Sequence, residues 1–129
     1  MFVEGVKLAL SEDLQRQIDR LVTTTAGRWR VSENRKALEA LICFKTFKKA
    51  WEFMNLVADK ASKEKHHPEW CNVYNKVFIR WTTHSSSAIS GKDVQMAIFC
   101  DEQANALGAL QETPFESSLG SLLRPITEA

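Results

Sequence analysis

The spacing of apolar residues changes along the chain, and this change restricts the folds that the chain can adopt. Apolar side chains recur every three to four residues over about 12–23, again from Phe47 to Ala61, and again from Met96 to Leu107. This spacing is typical of amphipathic helices. In the two segments between those helices, apolar and polar residues alternate, as they do in half-buried strands. The chain is therefore predicted to follow the order αββαββα.

The predicted strands fall into two pairs. The first pair lies around Trp29 and Val31 and in the run from Leu38 to Phe44. The second pair lies in WCNVY and VFIRWTTH, which are rich in β-branched and aromatic residues, with Asn75 and Lys76 as the turn between them. Paired strands with too few helices for parallel crossovers favour an α+β domain, in which the helices pack on one face of a four-stranded antiparallel sheet.

Capping residues and apolar stripes give further expectations for the helices. Ser11 precedes two acidic residues and is predicted to cap the first helix, while Ser90 with Asp93 matches a capping box in its Asp form. The stripe of the second helix is assigned to seven residues: Phe47, Ala50, Trp51, Met54, Val57, Ala58 and Ala61. Phe53 and Leu56 fall outside it. Met96 and Cys100 belong to the stripe of the third helix.

Composition excludes several classes of protein. The 129 residues, 44% hydrophobic and 26% charged, suit one soluble domain. Seventeen basic against sixteen acidic residues give a net charge of +1, which disfavours direct binding to nucleic acid. The apolar run at the start of the chain is too short for a signal sequence or a membrane span. Segment 111–129 mixes Pro, Gly and Ser and is predicted to be an extension or flexible tail after a domain over 1–110.

The cysteines indicate a reducing compartment. Cys43, Cys71 and Cys100 are odd in number, far apart and free of any C-x-x-C spacing. Such a set fits reduced thiols that fill the core of a cytoplasmic protein better than it fits a disulfide framework or a zinc ribbon.

The histidines are the clearest candidates for chemistry. All three lie between residues 66 and 84, in KEKHHPEW and at the end of the fourth strand. Pro68 favours an extended backbone at His67, so the side chains of His66 and His67 are expected to reach different surroundings. The alternation of the fourth strand places His84 on the face opposite Trp81 and its apolar neighbours.

Other interpretations compete with a catalytic one. A single histidine is often a structural hydrogen-bonding group. Three imidazoles and Asp93 are also a possible zinc or iron set, but adjacent His66 and His67 lack the i, i+4 spacing that brings two ligands together on a helix. Asp93 by itself is typical of a capping side chain. Trp29 and Trp70 are more typical of a core than of a ligand platform.

Several motifs together resemble the pterin-4a-carbinolamine dehydratases, also known as dimerisation cofactor proteins. They are AWEFMNLVADKA, then HHPEW followed by NVYNKV, then TTH at the end of a strand and a Ser-x-x-Asp helix start, and the likeness covers about 11–107. The resemblance implies loss of water from a 4a-hydroxytetrahydrobiopterin to give the quinonoid dihydropterin, as in tetrahydrobiopterin recycling. It also implies a homodimer or homotetramer, and the pterin is substrate, with no metal and no cofactor.

The resemblance also implies roles for individual residues. The family's catalytic positions fall on His66, His67 and His84, with Asp93 as the supporting carboxylate. Imidazoles titrate near neutrality and suit both proton transfers of a dehydration. We assign His66 and His84 as acids at the departing hydroxyl, His67 as the residue that orients the pterin, Asp93 as the group that fixes an imidazole tautomer, and Trp70 as a wall of the pocket.

Two points leave alternatives open. The family usually has Gly-Leu where this chain has Ala88 and Ile89, so the loop before Asp93 is expected to differ if the glycine serves a special backbone angle. Some relatives act as interaction proteins that stabilise the dimer of a transcription factor, which admits a nuclear as well as a cytoplasmic location. A purely binding relative has no physical need for three imidazoles, so the enzyme is preferred.

Overall fold

The structure, a computed structural model, describes residues 2–24, 28–85 and 88–110, and within the first helix it describes side chains over 12–23. The elements are α1 (Phe2–Thr24), β1 (Trp29–Val31), β2 (Ala37–Cys43), α2 (Phe47–Glu64), β3 (Glu69–Val73), β4 (Lys76–Thr82) and α3 (Gly91–Ala106). The predicted α+β class and the order αββαββα are confirmed. The predicted tail over 111–129 lies outside the described residues.

The four strands form one antiparallel sheet in the order β1-β2-β4-β3. Side chains alternate between its two faces, so residues opposite each other in the register share a face. One face carries the core, whose strand members are buried: Trp29, Leu38, Ala40, Ile42, Val77, Ile79 and Trp81. The helices pack on this face, called here the helix face. The other face, called the open face, carries the strand side chains that alternate with these along the chain.

The predicted stripe of α2 is partly wrong. The residues that α2 buries are Ala50, Phe53, Val57 and Ala61, and the Phe53 ring packs 5.2 Å from that of Phe44. Phe47 and Trp51 are instead about half exposed, at 47% and 49%. Two apolar stripes overlap on this helix, and helical spacing does not say which one faces the sheet.

Two predicted element boundaries also need correction. The first helix begins at Phe2, so Ser11 lies inside it and does not cap it. The preceding residues contain no proline and many good helix formers, so nothing local stops the helix at Ser11. The hairpin turn is formed by Tyr74 and Asn75, whereas Lys76 belongs to β4. The Asn72 amide donates to the carbonyls of Tyr74 and Lys76 and thereby closes the turn around this pair.

The third helix begins as predicted. Ser90 has an extended backbone and its side chain accepts from the Asp93 N–H, while the Asp93 carboxylate accepts from the Ser90 N–H. Met96 and Cys100 are fully buried, and burial raises the pKa of the Cys100 thiol to about 12. Cys100 is core filler as predicted. Cys71 is not, because it lies on an edge strand and is exposed.

Candidate active site

His66 is held in place by the end of α2 and by the sheet. The helix ends at Glu64 and its C-cap Lys65 has a left-handed backbone with φ 56°. The His66 N–H then donates to the Ala61 carbonyl. The imidazole stacks on the buried Trp81 ring, with centroids 5.8 Å apart and planes 12° apart. His66 Nε2 lies 2.6 Å from Asp93 Oδ1. Contact with a planar ring and with a carboxylate fixes both the position and the rotation of the imidazole.

Asp93 is oriented by a set of donors on its other oxygen. Oδ2 accepts from the Ser90 N–H at 3.0 Å and from the hydroxyls of Thr83 and Ser90 at 3.0 and 3.2 Å. The residue is fully buried. Its hydrogen-bonding capacity at Oδ2 is therefore used within the protein, and Oδ1 is directed at the His66 ring.

The loop before Asp93 contains Ala88, and the cap of α3 forms directly after this loop. Ile89 is buried and the capping box that follows it is intact. Asp93 therefore has the placement of a capping residue, and the expected effect of alanine at position 88 stays a prediction.

His84 lies beyond the end of β4, beside a cavity of about 630 Å³ on the open face. Its side chain is 87% exposed, and its Nε2 is 3.9 Å from Glu69 Oε2. Strand ends and the β1–β2 connection line the cavity, with Lys36, Glu39, Arg80 and Thr83 among the lining residues. His84 is thus on the side away from the apolar set, where the alternation of the strand predicts it.

Thr83 connects the two histidine environments. Its hydroxyl donates to Asp93, which contacts His66 on the helix face, and the same residue lines the cavity that His84 borders. The structure therefore places His66, Asp93 and His84 around one segment, the chain that follows β4.

The other two predicted site residues lie outside these contacts. The His67 side chain is exposed. Trp70 pairs with Ile79 in the sheet and packs, partly buried, against the core on the helix face. Trp70 is therefore across the sheet from the cavity that His84 lines, and its predicted contact with substrate stays a prediction.

Sequence reasoning missed a row of charged residues across the open face. Arg30, Glu39, Arg80 and Glu69 are direct cross-strand neighbours in the order of the sheet. Glu39 is only 3% exposed, and its two oxygens accept from Arg30 Nε at 3.1 Å and from Arg80 Nε at 2.7 Å. Arg80 Nη1 also donates to Glu69 at 3.3 Å. We call these four residues the charged row.

The charged row alters the acid–base properties of Arg80. Partial burial lowers the pKa of its guanidinium, but the hydrogen bond and charge of Glu39, followed by those of Glu69, outweigh burial and raise the pKa above its ordinary value. Arg80 is a permanent cation. The sequence signal was a charged residue between two apolar ones in each central strand, in LEA and in IRW.

Within the ranges that the structure describes, no group of three or more His, Cys, Asp or Glu side chains is arranged to hold a metal ion. The predicted absence of a metal and of a cofactor stays a prediction. The helices in these ranges include none long and apolar enough to span a membrane.

Comparisons with known proteins agree on one family. The model of the family described as Pterin 4 alpha carbinolamine dehydratase matches residues 11–103. A Bordetella avium protein with the provisional name pterin-4-alpha-carbinolamine dehydratase is 44% identical over 82 residues, which cover 64% of this chain and 76% of that protein. A Burkholderia multivorans protein with the same provisional name is 35% identical over 94 residues, covering 73% of this chain and 87% of the relative.

A solved structure extends the likeness to the fold. The crystal structure of a transcriptional coactivator/pterin dehydratase from Brucella melitensis superposes with a TM-score of 0.60 at 34% identity, covering 67% of this chain and 90% of the other. The α+β fold of this chain thus matches that of a pterin dehydratase. The chain belongs to the pterin-4a-carbinolamine dehydratase family, a family of hydro-lyases. The resemblance and the enzyme class given by the sequence motifs are thereby confirmed.

Proposed function

We propose that the protein removes water from a 4a-hydroxytetrahydropterin to give the quinonoid dihydropterin, with histidines as general acids and bases. The observation that carries the proposal is the 2.6 Å contact between His66 Nε2 and the buried Asp93 carboxylate, next to the segment that presents His84 to the cavity. The cavity, at about 630 Å³, has the size of a small-molecule site.

The reaction needs two proton transfers. The C4a–O bond breaks as the hydroxyl gains a proton and departs as water. The N5–H proton is removed, and its electron pair forms the C4a=N5 double bond. No electrons enter or leave the system, so the reaction needs no redox cofactor, and in this proposal imidazoles rather than a metal ion transfer the protons.

Asp93 gives the His66 ring a defined role in these transfers. The Asp93 carboxylate accepts a hydrogen bond from Nε2–H of His66. The other ring nitrogen, Nδ1, is therefore the position that exchanges a proton with the substrate. The protonated ring is then an acid for the hydroxyl and the neutral ring is a base for N5–H. His84 approaches from the open face and acts as the second acid, and His67 orients the pterin.

Single histidine variants test this assignment. General acid–base assistance is worth about 10²- to 10⁴-fold in rate, so His66→Ala and His84→Ala should each lose a large part of that range in kcat. His67→Ala should mainly raise KM. If His66 and His84 serve opposite faces of the ring, each single variant retains activity toward one 4a-hydroxy stereoisomer, and the double variant loses both. Stopped-flow measurement of carbinolamine loss, with and without a chelator, gives these rates.

The same protein samples provide the control. If the His66 ring only satisfies its buried partner Asp93, its removal should lower the free energy of unfolding by about 1–3 kcal/mol while turnover stays normal. A melting temperature lowered by many degrees with near-normal turnover would contradict the catalytic roles. Activity that is lost on chelation and restored by one added metal would favour a metal site instead.

A second candidate function is that of an interaction protein. The Brucella melitensis neighbour is described as a transcriptional coactivator as well as a pterin dehydratase. On this chain, the exposed rings of Phe47 and Trp51 on α2 are the surface that such a partner protein would contact. An α2 variant that keeps full dehydratase activity but loses a partner would separate this function from catalysis.

A further inference from the structure

Arg80 is immobilised on three sides. Its Nε donates to the buried Glu39, its Nη1 donates to Glu69, and its guanidinium carbon lies 5.3 Å from the centre of the Phe78 ring. The side chain nevertheless remains 40% exposed and lines the cavity on the open face. A planar cation that is both fixed and accessible is a ready hydrogen-bond donor for a polar ring, because little side-chain entropy is lost when the ligand binds.

Glu69 provides an acceptor next to that donor. Its Oε1 receives the Arg80 hydrogen bond, its Oε2 is 3.9 Å from His84 Nε2, and its side chain is 48% exposed. Donor, acceptor and imidazole therefore stand side by side on one wall of the cavity. The pair of Arg80 with Glu69 is about half exposed, and such ion pairs contribute little to stability. A gain in stability therefore does not by itself explain why the donor, the acceptor and the imidazole lie together.

From this juxtaposition we infer that Arg80 and Glu69 determine specificity for the pyrimidine edge of the pterin, an inference that rests on the proposed function. Arg80 donates to the 4-oxo group, and Glu69 accepts from N3–H and from the 2-amino group. The edge of a pterin presents one acceptor followed by two donors, which is the complement of a guanidinium beside a carboxylate. C4a adjoins the carbonyl carbon, so this contact holds the reacting carbon in the cavity that His84 borders.

The buried carboxylate of Glu39 holds Arg80 in position. It is 3% exposed and bonds Arg80 on one side and Arg30 on the other, so the position of Arg80 is set by a carboxylate that solvent hardly reaches. Arg30 makes an equivalent bond to Glu39, but it lies on β1, and both β2 and β4 separate it from Glu69 on β3. The two arginines thus share a structural partner and both line the cavity, and among the interactions described it is Arg80 that bonds Glu69. This difference makes Arg30 a matched comparison.

The test compares the binding of two ring systems to Arg80→Gln, Glu69→Gln and the control Arg30→Gln. The probes are a stable 7,8-dihydropterin and a lumazine, which carries an oxo group in place of the 2-amino group. Loss of a hydrogen bond to a charged group should raise the Kd for dihydropterin about 10- to 100-fold in Arg80→Gln and in Glu69→Gln. Wild-type protein should prefer the pterin, and Glu69→Gln should lose that preference because an amide can donate to the oxo group. Arg30 also lines the cavity but has no bond to Glu69 among the interactions described, so Arg30→Gln should lose less affinity for dihydropterin than Arg80→Gln does.

Thermal unfolding and stopped-flow rates of the same samples make the outcome decisive. Equal loss of binding in Arg80→Gln and Arg30→Gln would overturn the inference, because it would show that only the shared bond to Glu39 matters. Wild-type protein that accelerates dehydration, with variants that bind both probes unchanged, would overturn the inference and leave the proposed function standing. Wild-type protein that neither binds the pterin nor accelerates dehydration would overturn both. Glu69→Gln keeps the test valid if Arg80→Gln does not fold.

Discussion

At the scale of single residues, Asp93 combines a structural role with a proposed catalytic one. Through Oδ2 it closes the capping box of α3, and through Oδ1 it contacts His66. A helix cap is worth about 1 kcal/mol, whereas loss of a proton-transfer partner appears in the rate. The stability of a variant therefore reports on the capping bond of Oδ2, and its rate reports on the contact of Oδ1 with His66.

We expect Asp93→Asn to lower kcat by about 10²-fold, since an amide beside Nε2 no longer holds the ring as a charged acceptor does. Thr46→Ala is the matched control, because the Thr46 hydroxyl caps α2 by accepting from the Lys49 N–H, and Thr46 makes no contact with the histidines among the interactions described. Both variants should lose about 1 kcal/mol of stability. Equal rates in both variants, measured by stopped flow, would refute the role of Asp93 as a partner of His66.

At the scale of elements, two contacts join the end of α2 to the start of α3. One is the His66–Asp93 pair, and the other is an ion pair in which Lys92 Nζ lies 2.9 Å from Glu64 Oε1. The Lys92 hydrogen bond, followed by that of Lys60, lowers the pKa of the Glu64 carboxyl below its ordinary value of 4.5. The proposed dyad therefore lies between elements that are also held together by charge.

The lowered pKa of Glu64 predicts how the stability of the protein depends on pH. Because the carboxyl is more acidic in the folded state, its contribution to stability is present above pH 4.5 and is lost as the pH falls through the folded value. Glu64→Gln should therefore lower the melting temperature at neutral pH, and the difference from wild type should shrink in acid. Asp59→Asn is a control that breaks a pair within α2 only, to Lys63. A Glu64→Gln difference that does not change with pH would contradict the expectation.

The elements also show what local sequence can and cannot specify. The order αββαββα and the Ser90–Asp93 cap follow from spacing within a few residues, and both were predictable. The buried face of α2 depends on which of two overlapping stripes meets the sheet, so Phe53 was misplaced. The charged row depends on register between strands that are distant in sequence, as for Glu39 and Arg80, and no local pattern reveals that register.

At the scale of the whole molecule, the surface of α2 is the feature that bears on assembly. The family resemblance implies a homodimer or homotetramer, and the α3 residues Met96 and Cys100 are buried inside the subunit and are not available to a partner. Exposed apolar rings lie on α2 instead, where Phe47 and Trp51 stack 6.0 Å apart. Large apolar groups that remain exposed side by side are typical of an interaction surface. We therefore expect any self-association to use the exposed face of α2 rather than α3.

We expect wild-type protein at micromolar concentration to scatter light as a multiple of 14.7 kDa, and Trp51→Glu to reduce that mass because a charge cannot be buried between apolar surfaces without a partner. Gln95→Glu adds the same charge to an exposed position on α3 and should leave the mass unchanged. A wild-type mass near 14.7 kDa would refute the oligomer. An unchanged multiple in Trp51→Glu would show that the subunits associate through another surface, such as an edge strand of the sheet.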